Sequence, residues 1–304
     1  MSAITSRRSH EVANSPITAS FEFFPPKSDK MAETLWGTVE RLAPLNPSFV
    51  SVTYGAGGTT RERTHKTVAR ILKETDLAPA AHLTCVGASR EEVDEIVREY
   101  WDLGVRHLVA LRGDPLEGIG ARYVPHESGY PYATDLVAGI KKIANFDISV
   151  SGYPERHPES GSWQSEIDNL KRKVDAGADR IITQYFFDND MFDDYMERIA
   201  AAGINVPVIP GILPIQNFEQ TMVFSAKCGT SIPQWLARRF AGLAHDPDTR
   251  KLVGVSIACE QVMDLVDRGI NDFHFYTMNR ADLTFAICHM LGMGSPETKE
   301  DLAA

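Results

Sequence analysis

Short β-prone runs alternate with helical segments along almost the whole chain, and this alternation constrains the fold more than any other feature. Eight runs are rich in β-branched and aromatic residues: 17–24, 49–54, 80–86, 107–111, 148–153, 180–187, 206–213 and 273–277. Between them, apolar residues recur at the three- and four-residue spacing of amphipathic helices. Eight β/α units predict an α/β fold, a single (β/α)8 TIM barrel, with an open doubly wound sheet as the alternative.

Glycines support this division of the chain. Gly104, Gly177, Gly203 and Gly269 each follow a helical segment and lead within a few residues into a strand, as glycines at helix C-termini do. The stretch 215–268 is too long for one helix, so extra helices are expected before the last strand. We therefore predict one barrel domain over residues 20–293, with tails at 1–19 and 294–304.

Composition excludes several classes of function. The net charge of -10 argues against nucleic acid or an anionic membrane as the main partner. No run approaches the roughly 18 apolar residues of a membrane span, and residues 1–19 lack the apolar region of a signal peptide. The four cysteines are far apart and form no C-x-x-C pair, which predicts buried apolar groups instead of disulfides or a zinc site. We expect a cytoplasmic protein without a bound metal.

One carboxylate stands inside an apolar strand. Side chains alternate along a strand, so Phe21 and Phe23 would share one face while Ser20, Glu22 and Phe24 share the other. Apolar surroundings disfavour the charged form of a carboxyl group, which suits a proton donor. The alternative is a strand-edge glutamate paired with a lysine or arginine.

Polar groups follow most of the predicted strands, where TIM barrels carry their active sites. The glycine-rich stretch 55–58 could cradle a phosphate, but no lysine follows at P-loop spacing, and a turn is favoured. Arg112 and Asp114 point to the same side of a strand and form either an ion pair or part of a site. His82 is either a hydrogen-bonded core histidine or a site residue.

Two further groups have simple structural interpretations. Glu155 and His157 could bind a metal, yet no carboxylate cluster at ligand spacing completes such a site. The cations of 171–173 lie in one helical segment, where three successive residues spread over more than half a turn and favour a solvated face.

Six motifs in order resemble the 5,10-methylenetetrahydrofolate reductases of the short bacterial type. They are FEFFPPK at 21–27, VTYGAGG at 52–58, HLTC at 82–85, LRGDP at 111–115, IPGILP at 209–214 and HFYTMN at 274–279. The resemblance runs from about residue 20 to 292 and implies an eight-stranded β/α barrel that holds FAD. It also implies one-carbon metabolism, in which methylenetetrahydrofolate is reduced to 5-methyltetrahydrofolate for methionine biosynthesis, with NADH or NADPH as the hydride source in a ping-pong reaction.

Site residues are carried over from this resemblance alone. It implies Glu22 as the general acid and Asp114 as a second catalytic group that favours a cationic intermediate. The implied FAD contacts are Tyr54, Ala56, His82, Arg112, Gly113, Asp114, Tyr132, Ala133, Tyr153, His157, Glu166, Asn169, Arg172 and Lys173. The implied folate and nicotinamide contacts are Thr53, Asp114, Gln184, Gln220 and Arg280.

The resemblance also suggests a homo-oligomer. It changes the interpretation of the helical segment that contains residues 171–173, because Arg172 and Lys173 would neutralise the FAD diphosphate. Glu166 departs from the family pattern, which has aspartate there, and the loop 116–131 is longer than expected. There are three alternatives to this function: a proline-dehydrogenase-like FAD barrel, a non-catalytic interaction subunit and a metal-dependent barrel lyase. Metal analysis of the purified protein would distinguish the lyase from a flavoprotein.

Overall fold

The computed structural model describes residues 16–54, 61–115, 118 and 120–294, and its centre is a closed parallel barrel. Eight strands pair in chain order, and β8 closes on β1. They are β1 (Thr18–Phe23), β2 (Val50–Val52), β3 (Pro79–Thr84), β4 (His107–Leu111), β5 (Asp147–Gly152), β6 (Arg180–Tyr185), β7 (Val208–Ile212) and β8 (Asp272–Tyr276). The predicted TIM barrel is confirmed, and the open doubly wound sheet is wrong.

Helices surround this barrel and follow each strand in turn. They are α1 (Asp29–Leu42), α2 (Arg61–Glu74), α3 (Arg90–Leu103), α4 (Ala133–Ile143), α5 (Trp163–Asp175), α6 (Asn189–Ala201), α7 (Phe218–Cys228), α8 (Gln234–Phe240), α9 (Pro247–Asp267) and α10 (Ala281–Met290). A short 3₁₀ turn, Ala43–Leu45, follows α1. Since α7, α8 and α9 all lie between β7 and β8, the expected extra helices before the last strand are confirmed.

The glycines predicted at helix ends adopt the backbone conformation that this role requires. Gly104 ends α3 with φ of 101° and donates its N–H to carbonyls of the last turn. Gly177, Gly203 and Gly269 also have positive φ, at 116°, 70° and 95°. A residue with a Cβ would be strained in this left-handed region, so these positions stop the helices and return the chain to the sheet.

Alternation along β1 separates the packing face from the cavity face. Phe21 and Phe23 are fully buried and join the main hydrophobic core between the sheet and the helices. The Phe21 ring packs 6.2 Å from the Phe275 ring of β8, between ring centroids. Ser20 and Glu22 occupy the opposite face inside the barrel, as the alternation predicts.

Charged and aromatic side chains fill the barrel at the amino-terminal ends of the strands. Arg180 at the start of β6 forms an ion pair with Asp147 at the start of β5. Its guanidinium lies 5.5 Å from the ring centroid of Phe49, and Thr18 donates a hydrogen bond of 2.8 Å to Asp272. The Arg180–Asp147 ion pair thus lies at the end of the barrel opposite to the carboxyl-terminal ends of the strands, where TIM barrels carry their active sites.

Two glycines inside helices have opposite surroundings. A Cβ at Gly254 of α9 would lie 2.1 Å from the carbonyl oxygen of Ile215, so only glycine lets α9 approach the chain leaving β7. A Cβ at Gly37 of α1 would have no described atom within 4 Å. Only the first glycine is therefore required by packing.

We predict opposite stability effects for Gly254→Ala and Gly37→Ala. Alanine is favoured over glycine in a helix by about 1 kcal/mol, so Gly37→Ala should raise the free energy of unfolding by up to that amount. Gly254→Ala should lower it by about 1 to 3 kcal/mol because the methyl group forces backbone movement. Urea unfolding of both variants measures the difference, and a stabilising Gly254→Ala would contradict the packing described here.

Candidate functional site

A cavity of about 990 Å³ opens at the carboxyl-terminal ends of the strands, and it brings together many of the predicted site residues. Its volume is at the upper end of the range of about 300 to 1,000 Å³ that small-molecule sites occupy. The predicted residues that line it are Glu22, Thr53, Tyr54, His82, Tyr153, Gln184, Gln220 and Arg280. These positions come from strands spread around the barrel and from the segments that follow β7 and β8.

Glu22 lies in this cavity with two imidazoles beside its carboxyl group. The residue is only 8% exposed, and its Oε2 lies 3.4 Å from Nε2 of His82 and 3.8 Å from Nε2 of His274. Nδ1 of His274 in turn lies 2.8 Å from the hydroxyl of Ser20. Within the described ranges no lysine or arginine reaches the Glu22 carboxyl within 4.0 Å, so the strand-edge ion pair is wrong.

Burial disfavours the protonated forms of His82 and His107. It lowers the pKa of His82, although the nearby Glu22 carboxyl acts in the opposite direction. It also lowers the pKa of His107 to about 3, with the Arg180 cation contributing to the shift. At neutral pH the Glu22 carboxyl therefore faces a neutral His82 ring and not a fixed cation.

The seam between β1 and β8 fixes the backbone on both sides of Glu22. The hydroxyl of Thr277 donates a 2.6 Å hydrogen bond to the Glu22 carbonyl. The side-chain amide of Asn279 accepts from the N–H of Phe24 and donates to its carbonyl, both at 2.8 Å. Asn279 has φ of 54°, a left-handed conformation that asparagine tolerates. The Asn279 side chain therefore pairs with the backbone of Phe24, two residues after Glu22, as a neighbouring strand would. The sequence analysis did not predict this role.

A second group of predicted residues lies around α5 and the end of β5. Lys173 is only 6% exposed, and its ammonium donates a 3.0 Å hydrogen bond to the carbonyl of Ser151. Burial lowers the pKa of Lys173 to about 8, opposed by the Glu166 carboxyl. The solvated-face interpretation is therefore wrong for Lys173, while Arg172 is exposed and Lys171 pairs with Asp175 at 3.1 Å.

Glu166 anchors the loop that follows β5. Its Oε2 accepts a hydrogen bond of 3.3 Å from the backbone N–H of His157 and another from the hydroxyl of Ser160. The His157 ring packs edge-on against Tyr153, with 4.7 Å between centroids. Burial lowers the pKa of His157, which keeps this ring neutral as well.

Arg112 is held by a different partner from the one the sequence suggested. Its guanidinium makes two hydrogen bonds to Glu159, at 2.5 and 3.0 Å, and lies 4.5 Å from the ring centroid of Tyr123. The local ion pair with Asp114 is therefore wrong, and Asp114 is exposed at the end of β4.

Next to Arg112, Gly113 shows why glycine occupies this position. It has φ of 87°, and a Cβ there would lie 2.5 Å from Cγ1 of Val86. That Cβ would also lie 2.9 Å from Cβ of Thr84, whose buried hydroxyl has no hydrogen-bond partner in the described part of the chain.

The remaining predicted contacts are distributed around these groups. Tyr132 is 53% exposed at the start of α4, with its ring 5.9 Å from that of Tyr123, and Ala133 is the buried first residue of that helix. Asn169 lies half-buried on α5. Ala56 and the glycine-rich stretch 55–58 lie outside the described residues, as do 116, 117 and 119 of the long loop.

Several cavity residues had no predicted role. They include His274, Tyr276, Tyr185, Asn217, Phe224, Cys228 and Lys251. Alternation in β8 places His274 and Tyr276 on the inward face and was sufficient to find them. Asn217, Phe224, Cys228 and Lys251 belong to the segments after β7, where strand periodicity carries no signal. Cys85, Cys259 and Cys288 are buried as expected, whereas Cys228 is half-buried in the cavity.

The described residues form neither a metal-binding cluster nor a membrane-spanning helix. In the described part of the chain no group of three or more His, Cys, Asp or Glu side chains is placed to hold a metal ion, and the Glu155 carboxylate accepts a hydrogen bond from the Ser231 N–H. None of the described helices combines the length and apolar character needed to traverse a bilayer. The predicted cytoplasmic location and homo-oligomer remain predictions.

Comparison with known proteins agrees with this geometry. Residues 7–292 match the family model described as methylenetetrahydrofolate reductase. The chain belongs to the methylenetetrahydrofolate reductase family. The predicted resemblance is thereby confirmed, and so is the interpretation of the chain as an oxidoreductase.

Relatives in this family cover nearly the whole chain. The 5,10-methylenetetrahydrofolate reductases of Pectobacterium carotovorum and Escherichia coli are each 50% identical over 91% of this chain and 91% of their own. A Schizosaccharomyces pombe family member, methylenetetrahydrofolate reductase 1, is 37% identical, and the match covers 46% of its length. A Clostridium thermocellum protein described as binding two copies of 5-methyl-5,6,7,8-tetrahydrofolic acid shares the fold, with a TM-score of 0.63 and 16% identity over 95% of this chain and 98% of that one.

We predict that Asn279→Ala lowers the free energy of unfolding by about 1 to 3 kcal/mol, because it leaves two backbone groups of Phe24 unpaired. Asn46→Ala is the matched control. Asn46 also has positive φ, at 50°, but its side chain makes no hydrogen bond within the described ranges. Chemical denaturation should show the larger loss at Asn279, and equal losses would mean that only backbone strain is involved.

Proposed function

We propose that the chain catalyses the reduction of 5,10-methylenetetrahydrofolate to 5-methyltetrahydrofolate by NADH or NADPH through bound FAD, in a ping-pong reaction with Glu22 as the general acid. One observation carries this proposal: the Glu22 carboxyl is buried in a cavity of about 990 Å³ at the active end of the barrel, with two imidazoles beside it. Family membership supports the reaction class, and the burial of Glu22 in the cavity supports its role as the acid.

The residues around α5 and β4 fit a flavin dinucleotide. Arg112, Arg172 and Lys173 bring three cations to one region, against the carboxylates of Glu159 and Glu166. Anionic diphosphate oxygens would accept charge-assisted hydrogen bonds from these groups. When bound, FAD would supply the hydride acceptor and donor that this reaction requires.

The ends of β3 and β4 offer further contacts for such a group. Gly113 packs closely against Val86 and Thr84, where a Cβ would clash, and the Thr84 hydroxyl, which has no partner among the described residues, can still form a hydrogen bond. Tyr54, His82, Tyr153, His157, Glu166 and Asn169 would complete the cofactor contacts, together with Asp114, Tyr132 and Ala133.

Folate would occupy the part of the cavity that Gln184, Gln220 and Arg280 line. Gln184 accepts the Tyr185 N–H at 3.0 Å through its Oε1, and its amide NH₂ group remains to bind a pterin or nicotinamide oxygen. Gln220 and Arg280 are exposed at the rim, which suits the charged glutamate end of folate. Thr53 lies at the end of β2, where it would contact the nicotinamide.

Proton transfer is the step that this chain itself performs. Opening the methylene bridge breaks the bond between its carbon and N10, and the departing nitrogen needs a proton. Glu22 donates that proton and becomes a carboxylate. The bridging carbon, now part of a 5-iminium cation, accepts hydride and becomes the 5-methyl group. Asp114 at the end of β4 would favour that cation electrostatically.

We predict that Lys173→Met weakens FAD binding by roughly tenfold to a hundredfold, as expected for loss of one charge-assisted hydrogen bond. Lys171→Met is the matched control, since Lys171 lies on the same helix and pairs with Asp175. Fluorescence titration of the flavin-free protein measures both affinities. Equal affinities of the two variants would remove Lys173 from the cofactor site.

FAD affinity should also depend on pH through the same residue. With a pKa of about 8, free Lys173 loses its proton as pH rises above that value, whereas a diphosphate would favour its charged form. Affinity should therefore fall between pH 8 and 10, by at most about tenfold per pH unit. The Lys173→Met variant should lack this component, and identical profiles for both proteins would show that Lys173 does not titrate on binding.

Glu22→Gln separates the two halves of the reaction, because it keeps the shape of the side chain and removes the acid. Reduction of the flavin by NADPH or NADH needs no proton on folate and should continue. Reoxidation by methylenetetrahydrofolate should slow by roughly 10² to 10⁴-fold, the usual contribution of general acid catalysis. Stopped-flow measurement of each half decides the matter, since a merely structural Glu22 would slow both halves together and lower flavin content.

A further inference from the structure

Strand β6 contains one residue more than the neighbouring strand β7 over the same length. Ile182 pairs with Ile209 and Tyr185 pairs with Gly211, so the two residues between them on β6 face a single residue on β7. This is a β-bulge, a feature that redirects side chains and is common beside active sites. The residue opposite the bulge is Pro210, which has no N–H to donate to a carbonyl of β6.

The bulge directs two successive side chains into the same cavity. Gln184 and Tyr185 both line the cavity of about 990 Å³, although neighbouring side chains of a regular strand point to opposite faces. At this point the N–H of Tyr185 donates a 3.0 Å hydrogen bond to Oε1 of Gln184. The orientation of the Gln184 amide is therefore tied to the backbone of the bulge, and a change in that backbone would move its NH₂ group.

Two side chains hold the backbone of the bulge in place. The Thr183 hydroxyl accepts a 2.9 Å hydrogen bond from the N–H of Gly211 on β7. The Tyr276 hydroxyl of β8 donates a 2.7 Å hydrogen bond to the carbonyl of Thr183. The Tyr276 ring lies against Gly211, where an added Cβ would be 2.6 Å from Cε2 of that ring and 2.3 Å from the Thr183 carbonyl oxygen. Glycine at this position therefore lets a side chain of β8 reach β6.

Thr183 is fully buried and is not among the residues that line the cavity, so it acts on a ligand only through its neighbours. We propose that Thr183 is a positioning residue, whose hydroxyl fixes the bulge so that the Gln184 amide is directed at folate. This inference rests on the proposed function, in which folate occupies the part of the cavity that Gln184 lines.

Thr183→Val and Thr183→Ser form a matched pair of variants. Valine keeps the shape of threonine but cannot accept the Gly211 N–H, whereas serine keeps the hydroxyl and loses only a methyl group. Calorimetric titration of the flavin-loaded protein with 5-methyltetrahydrofolate measures the effect. Thr183→Val should weaken folate binding by roughly fivefold to tenfold, and Thr183→Ser by less than about twofold, because only the first removes a buried hydrogen bond.

Combination with Gln184→Ala separates positioning from a general structural role. If Thr183 acts through Gln184, Thr183→Val should weaken folate binding by less than about twofold once residue 184 is alanine, since the effects of coupled residues are not additive. A general structural role would instead cost the same factor with and without the Gln184 side chain, and that result would overturn the proposal.

Tyr276→Phe gives a second route if Thr183→Val does not fold. It removes the donor to the Thr183 carbonyl and keeps the ring that lies against Gly211. The weakening of folate binding should again depend on Gln184, and an equal loss in the presence and absence of that side chain would reject the positioning role.

The outcomes also separate this inference from the proposed function. A parent protein that does not bind 5-methyltetrahydrofolate would overturn both. If the parent protein binds and Gln184→Ala binds equally well, Gln184 makes no contact with folate, and only the positioning role is wrong. If Gln184→Ala weakens binding but Thr183→Val does not, the hydroxyl is not needed to direct the amide, and the reductase function stands without this inference.

Discussion

Closure of the barrel between β1 and β8 is the constraint on which the site depends. Ser20 lies in register with His274 and Glu22 with Tyr276, so two strands from opposite ends of the chain set the position of the acid. The hydrogen bonds from Thr277 and Asn279 continue this pairing past the end of the strands. Because both strands are fixed by a complete ring of backbone hydrogen bonds, Glu22 keeps its place between the imidazoles without a rigid side-chain partner of its own.

The barrel separates its charges along its axis. At the amino-terminal ends Arg180 is neutralised by Asp147 within one layer, which therefore has little to offer a ligand. At the other end, no carboxylate of the described residues lies within 4.0 Å of the cationic groups of Lys173, Lys251 or Arg280. An acidic protein can still bind anionic ligands, because the electrostatic field at a binding site depends mainly on the nearest charges. Salt screens the effect of exposed carboxylates more than about 10 Å away.

The fold was predictable because its signals are local. Strand alternation and helix-end glycines operate over a few residues, so the barrel, the inward position of Glu22 and the helices after β7 followed from the sequence. The ion-pair partner of Arg112 could not be predicted, because Glu159 lies 47 residues away, on the loop after β5. The burial of Lys173 depends on how α5 packs against β5, and three adjacent basic residues give no sign of it. Only family resemblance pointed to Lys173, and it did not reveal the role of Asn279.

Lys173 links the stability of this region to its ligand. Its pKa, lowered to about 8, means that burial disfavours the ammonium in the folded protein. The unfolded chain binds the proton more strongly, so this residue opposes folding below pH 8, and the opposition fades as pH rises toward the ordinary lysine pKa of about 10.4. The Ser151 carbonyl and the Glu166 carboxyl offset only part of that cost. An anionic group bound beside the ammonium would remove more of it, and ligands that bind only the folded state stabilise it. Lys173 thus destabilises the β5–α5 region by itself, and the same residue would couple the stability of that region to ligand binding.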